Sequence, residues 1–100
     1  MVQDSEVYEV WHAVPGDFSA ERLLSDFPLG YQLVATVRAE DLDDVFDKSN
    51  HARMPWTENE SVSPKVQHPR STSVGDVVVD VVGHTLHRVE VVGWSSKERG

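Results

Sequence analysis

A hydroxyl-rich segment beside an acidic residue is the part of this sequence best suited to chemistry. Ser71 and Ser73 could each supply a nucleophilic oxygen, and Asp76 could orient a base, if a histidine came within reach. The segment has no Gly-x-Ser-x-Gly elbow, and its spacing brings no histidine to either serine. A structural role is equally open, because Ser73 can cap a short turn at 74–76 and Asp76 can accept hydrogen bonds from nearby backbone amides. We favour the structural role and keep a small hydrolase or nucleotide-binding enzyme centred on these three residues as the alternative.

Arg70 and Gly75 flank these residues and could also serve a ligand. The Arg70 guanidinium could bind an anion or a partner's carboxylate, or it could pair with Asp76 or with an acidic helix of this chain. We favour the internal pair. Gly75 stands alone, whereas a phosphate-binding loop has several glycines at fixed spacing. We therefore predict that the motif of Arg70, Ser71, Ser73, Gly75 and Asp76 is structural.

His84 and His87, three residues apart, are the candidates considered for a metal-binding pair. On a strand, residues three apart point to opposite faces, so the two rings would not share one metal ion. The chain has no cysteine, which excludes disulfides, thiolate catalysis and cysteine zinc sites. We predict no metal and no cofactor.

Alternating apolar residues predict the strands that would hold the motif. They run over residues 7–14 and 31–39, and both sides of the first are largely apolar. The valine-rich run that starts at Asp76 predicts a strand near the centre of a sheet. A second run, Leu86 to Val92, follows across Gly83-His84, and the two runs predict a hairpin.

Two segments have the pattern of short helices. Residues 20–27 follow a serine that can cap a helix, and a proline ends them. Residues 41–50 place Leu42, Val45 and Phe46 on one face, as expected for a helix that packs on a sheet. Acidic residues crowd the first turn of this second helix, where the helix dipole favours negative charge.

The order of these elements predicts an α+β fold in a single domain. We expect a mainly antiparallel sheet of about four strands with two helices packed on it, over residues 1–94. A long loop without periodicity occupies 51–69, and residues 95–100 are predicted to form a polar C-terminal tail.

The loop at 51–69 is longer than a connection in so small a domain requires, and such loops are usually functional or mobile. It carries Arg53, Met54 and Trp56, a mixture of basic and apolar side chains that is typical of an interface. We predict that these three residues contact a protein partner. For Trp56 the alternative is that the indole folds back to seal the sheet.

Charge and composition limit the kinds of partner. The formal net charge is −8, with 13 acids against 4 Arg and Lys in residues 1–60, so nucleic acid is an unlikely partner. No apolar run approaches the roughly 20 residues that span a bilayer, and the first residues do not form a secretory signal. We expect no membrane partner and a cytoplasmic location. Eighteen valines and no isoleucine suggest a GC-rich genome, and the excess acid would suit a halophile.

Several segments, in this order, resemble the YodL-like family of small bacterial and mobile-element proteins. They are Tyr8-Glu9-Val10-Trp11, Tyr31-Gln32-Leu33-Val34, Leu42-Asp43-Asp44-Val45-Phe46, the run from Arg70 to Val78, and Gly93-Trp94. The resemblance implies no established catalytic residue, cofactor or substrate, and it implies an origin near conjugative-element or phage genes. We expect a non-enzymatic protein-interaction module, associated with a plasmid or phage, whose protein partner is unidentified.

Overall fold

The strands that the structure describes form one sheet. A computed structural model describes residues 6–13, 27–50, 55–58, 60–67, 69–90 and 93–98. The strands are β1 (Glu6–Ala13), β2 (Tyr31–Ala39), β3 (Val62–Pro64), β4 (Val77–Asp80), β5 (Thr85–Val89) and β6 (Trp94–Glu98). One α-helix, α1 (Leu42–Lys48), follows β2, and a 3-10 helix spans Trp56–Glu58.

The six strands lie in the order β3-β2-β1-β4-β5-β6, and every neighbouring pair is antiparallel. β1 is central, with β2 on one side and β4 on the other. Its residues and those of β4 are mostly valine or aromatic, which favours the middle of a sheet. The chain therefore returns from β3, at one edge, to place the Arg70–Asp76 motif beside β1.

The sheet has a large core on one face and a smaller one on the other. The helix-side face, defined by Tyr8, Val10 and His12 of β1, carries the core that includes Val45 and Trp56. The opposite face has a smaller cluster, in which Val77, Val79 and Leu86 pack with Trp11, Phe27 and Tyr31. A register shift between β1 and β2 at Val10/Trp11 brings both Val34 and Ala35 into the larger core.

Two side chains cap the start of α1. Asp41 Oδ1 accepts a hydrogen bond from the Asp44 amide at 2.8 Å, and Asp44 Oδ2 accepts one from the Glu40 amide at 3.0 Å. Lys48 pairs with Asp44 one turn away at 3.0 Å. The predicted second helix is thus confirmed over 42–48, and Val45, fully buried, fixes it to the sheet.

The predicted hairpin is also confirmed. β4 and β5 pair from Val77 with Arg88 to Asp80 with Thr85. In the connection, Asp80 Oδ1 accepts a hydrogen bond from the Gly83 amide at 2.9 Å, and His84 has a positive φ of 56°. A Cβ at position 83 would stand 2.9 Å from Asp80 Oδ2, so a larger residue there would require the Asp80 carboxylate to shift.

The predicted α+β fold of about four strands and two helices is wrong. The described parts of the chain form a six-stranded sheet with one short α-helix, which is closer to an all-β fold. β3 lies inside the expected loop at 51–69, and β6 takes up residues 95–98 of the expected tail. Both are short edge strands whose polar residues face solvent, so they lack the alternation that marks a half-buried strand.

The predicted helix at 20–27 lies outside the described residues, apart from Phe27 in a turn. Within the described residues, no helix has the length and apolar character needed to cross a membrane.

Val45→Ala should destabilise the protein by about 2 kcal/mol, because it removes two buried carbons at about 0.8 kcal/mol each and leaves a cavity. Asp47→Ala, at an exposed position of the same helix, should change the stability by no more than about 0.5 kcal/mol. Urea unfolding of both variants measures the difference. Equal effects would contradict the anchoring role of Val45.

Candidate functional site

The most tightly bonded side chain of the predicted motif is Asp76, which is fully buried. Its Oδ1 accepts hydrogen bonds from the Ala13 amide at 2.9 Å and Arg70 Nη2 at 2.8 Å. Its Oδ2 accepts hydrogen bonds from the Ser73 amide at 2.8 Å and Arg70 Nη1 at 2.6 Å. The predicted pairing of Arg70 with Asp76 is therefore present, and it is bidentate.

The backbone around Asp76 is a turn that leads into β4. The Asp76 amide donates to Ser73 O at 3.0 Å, and Gly75 takes a positive φ of 95°, which glycine adopts without strain. Gly75 N donates to Val89 O, and Val89 N donates to Asp76 O, both at 2.9 Å. Tyr31 Oη donates to Gly75 O at 3.1 Å. The turn is thereby fixed to both β2 and β5.

The serines of the motif surround the guanidinium of Arg70. Arg70 Nη1 donates to Ser71 O at 3.0 Å and to Ser73 Oγ at 3.3 Å. The described contacts bring a histidine to Thr72, between the two serines. Sequence reasoning missed His12 because 60 residues separate it from Thr72.

His12 is buried on the helix-side face, and its Nε2 shares a 3.0 Å hydrogen bond with Thr72 Oγ1. The same nitrogen lies 3.9 Å from Asp76 Oδ2. In a catalytic triad, by contrast, the acid and the nucleophile hold opposite nitrogens of the ring. Thr72 is also buried, so this geometry suits a structural hydrogen bond.

Burial lowers the pKa of His12 below its ordinary value. The Asp76 carboxylate offsets part of this effect, and the Arg70 guanidinium adds to it. Asp76 in turn raises the pKa of Arg70. The cluster is therefore the Arg70–Asp76 pair with a neutral imidazole beside it.

Trp56 does not have the exposure predicted for a recognition residue: it is 2% exposed and belongs to the larger core. Its Nε1 donates to Arg70 O at 2.9 Å, and its ring lies 6.2 Å from that of His12. The indole therefore seals the helix-side face next to the Arg70–Asp76 pair. This burial is the alternative that the sequence left open for Trp56. Arg53 and Met54 lie outside the described residues.

A groove of about 440 Å³ lies on the same helix-side face, between the start of α1 and the strands β4, β5 and β6. The described residues that line it are Tyr8, Asp80, His87 and Trp94 from the strands and Asp41, Leu42 and Asp43 from the helix side. It therefore combines aromatic and aliphatic surface with three carboxylates.

Trp94 forms one side of this groove and is half-buried. Its ring meets Phe46 edge-on at 6.4 Å, and its Nε1 donates a long hydrogen bond of 3.4 Å to Asp43 Oδ1. At the base, Tyr8 Oη donates to Glu6 Oε2 at 3.2 Å, and burial with this hydrogen bond raises the pKa of Tyr8 to about 12. Sequence reasoning missed Trp94 as a surface residue because its strand was expected to be a tail.

The two histidines weighed as metal ligands do not act together. His84 lies in the β4–β5 turn, and His87 Nδ1 shares a 2.6 Å hydrogen bond with Ser96 Oγ of β6. Among the described residues, no group of three histidine, aspartate or glutamate side chains could hold a metal ion.

Comparison with known proteins supplies no relative. The chain matches no protein-family model, no curated protein and no solved structure. The resemblance to the YodL-like family stays an expectation from the segments named above. Function must therefore be argued from the described residues.

The burial of His12 predicts a pH dependence of stability. Its pKa is lowered in the folded protein, so below about pH 6.5 the unfolded chain binds a proton that the folded chain does not. The stability is then fully present above pH 6.5 and falls as the pH decreases. The pKa of His87 is also lowered, chiefly by burial, and contributes in the same direction.

Thermal melting at pH 7.5 and pH 5.5 tests this prediction. The wild-type midpoint should be lower at pH 5.5, and His12→Gln, which keeps a polar group for Thr72, should show a smaller difference. His87→Gln measures the contribution of the second histidine in the same way. The double variant should show the smallest difference in melting midpoint between the two pH values. A His12→Gln protein with the full wild-type pH dependence would contradict the assignment.

Proposed function

We propose that this protein is a non-enzymatic protein-interaction module and that its contact surface is the groove between α1 and β4–β6. The observation that carries the proposal is the half-buried Trp94, held at the side of a groove by Phe46. Partly exposed tryptophans in such pockets often dominate the binding energy of protein interfaces. The groove stands on a sheet and a capped helix, and a rigid scaffold lowers the entropy lost on binding.

The Asp76 cluster supports this proposal over a hydrolase or nucleotide-binding enzyme. A carboxylate has about four acceptor sites, and four donors already occupy those of Asp76. Thr72, whose hydroxyl bonds to His12, is 2% exposed. A substrate would have to displace structural contacts before it reached either group.

The proposed surface differs from the one expected at 51–69. Trp56 is in the core, so its replacement by serine would remove core packing as well as any contact surface. The partner remains an unidentified protein. The net charge of −8 still disfavours nucleic acid. An association with a mobile element and a cytoplasmic location remain expectations from the sequence.

Affinity capture from a lysate of the organism that encodes the chain tests the proposal. Asp43→Arg places a long side chain of opposite charge in the groove, and Asp47→Arg makes the same change at an exposed position of α1 outside the groove. A partner of the groove should be retained by the wild type and by Asp47→Arg and lost with Asp43→Arg. Matching melting temperatures would show that the fold survives both changes.

A partner captured equally by both variants would place the contact elsewhere and overturn the proposed surface. Hydrolysis of an ester or nucleotide panel by the wild type, abolished by Ser73→Ala without loss of melting temperature, would overturn the non-enzymatic assignment.

A further inference from the structure

The charge of the groove limits what its occupant can be. Asp41, Asp43 and Asp80 all line it, and within the described chain none of these carboxylates forms an ion pair with lysine or arginine. The ion pairs that the described residues do form involve other acids: Asp44, Asp76 and Glu90. The groove thus presents negative charge that no ion pair among the described residues neutralises.

Two of the three groove carboxylates have a structural role, and the third does not. Asp41 Oδ1 caps α1, and Asp80 Oδ1 caps the β4–β5 turn. Each of these contacts uses one oxygen, so each carboxylate keeps acceptor capacity on the other. Asp43 accepts only the long hydrogen bond from Trp94 within the described chain, so its place in the groove is the least explained by the fold.

The remaining surface of the groove is apolar and aromatic. Trp94 and Leu42 are both half-buried, and Tyr8 lies beneath them. A lysine or arginine has an apolar stem that packs on such surface and a cationic head that stays with carboxylates. Arginine can also stack on an indole and bind a carboxylate through two parallel hydrogen bonds.

We propose that the groove binds a basic segment of the partner protein, seating a lysine or arginine side chain against Trp94 with its head at Asp43 and Asp80. This inference rests on the proposed function and names the chemistry of the partner. A protein segment is favoured because aromatic, aliphatic and carboxylate groups lie together in one groove. A small polyamine would need the carboxylates but little of the apolar surface.

The probe is a blocked heptapeptide that alternates glycine with arginine, lysine and arginine, added to the ¹⁵N-labelled full chain at 50 mM salt. NMR shifts should concentrate at Asp43, at His87 and at the indole N–H of Trp94. A peptide with glutamine at the three basic positions should not bind. Raising the salt to 500 mM should weaken binding by about tenfold, because exposed charges are screened.

Matched variants locate the contact. Asp43→Asn with Asp80→Asn keeps the side-chain oxygens that accept hydrogen bonds from Trp94 and Gly83. It removes two charges from the groove and should weaken peptide binding by about tenfold. Glu58→Gln with Glu60→Gln removes two charges from exposed positions outside the groove and should bind like the wild type.

Binding of the glutamine peptide, equal losses in both double variants, or shifts centred away from the groove would overturn the inference. So would spermidine binding as tightly as the peptide with the same indole shift, since a polyamine would then account for the site. If the peptide does not bind while Asp43→Arg still abolishes partner capture, the groove is an interaction surface but its partner is not a basic segment. If the peptide binds but no captured protein depends on Asp43, the groove does bind basic segments but the proposed protein-interaction function is wrong.

Discussion

The ion pair of Asp76 with Arg70 is the interaction on which the rest of the described fold depends. A buried carboxylate is very costly unless it is paired and fully hydrogen-bonded, and Asp76 meets both conditions with two amides and one guanidinium. The amides come from the end of β1 and from the turn before β4. The carboxylate therefore ties the central strand to the returning chain, beside the point where Trp56 bonds to Arg70 O.

The two ends of β1 have different roles. His12, at one end of the strand, lies in the buried cluster, whereas Tyr8 lies at the base of the groove. Four residues of extended chain place them about 13 Å apart on one face of the sheet. One end of the face is thus closed by internal polar contacts, and the other presents aromatic and acidic surface to solvent.

The sequence was sufficient for features that short-range patterns encode. Alternation located β1 and β2, the valine run and Gly83 located the β4–β5 hairpin, and the apolar face of Leu42, Val45 and Phe46 located α1. The edge strands β3 and β6 were not predicted because they are short and polar and lack alternation, and their conformation comes from pairing with β2 and β5. Sequence patterns did not locate the sites of Trp94 and His12, because each is defined by a contact between segments more than 50 residues apart.

A double-mutant cycle on Arg70→Gln and Asp76→Asn tests most directly whether this pair organises the fold. Urea unfolding of the wild type, both single variants and the double variant gives the coupling free energy. The account predicts a coupling of about 2 kcal/mol or more, because each single change leaves a group in the cluster without its partner. Single effects that add to within about 0.5 kcal/mol would contradict it, since the two side chains would then act independently.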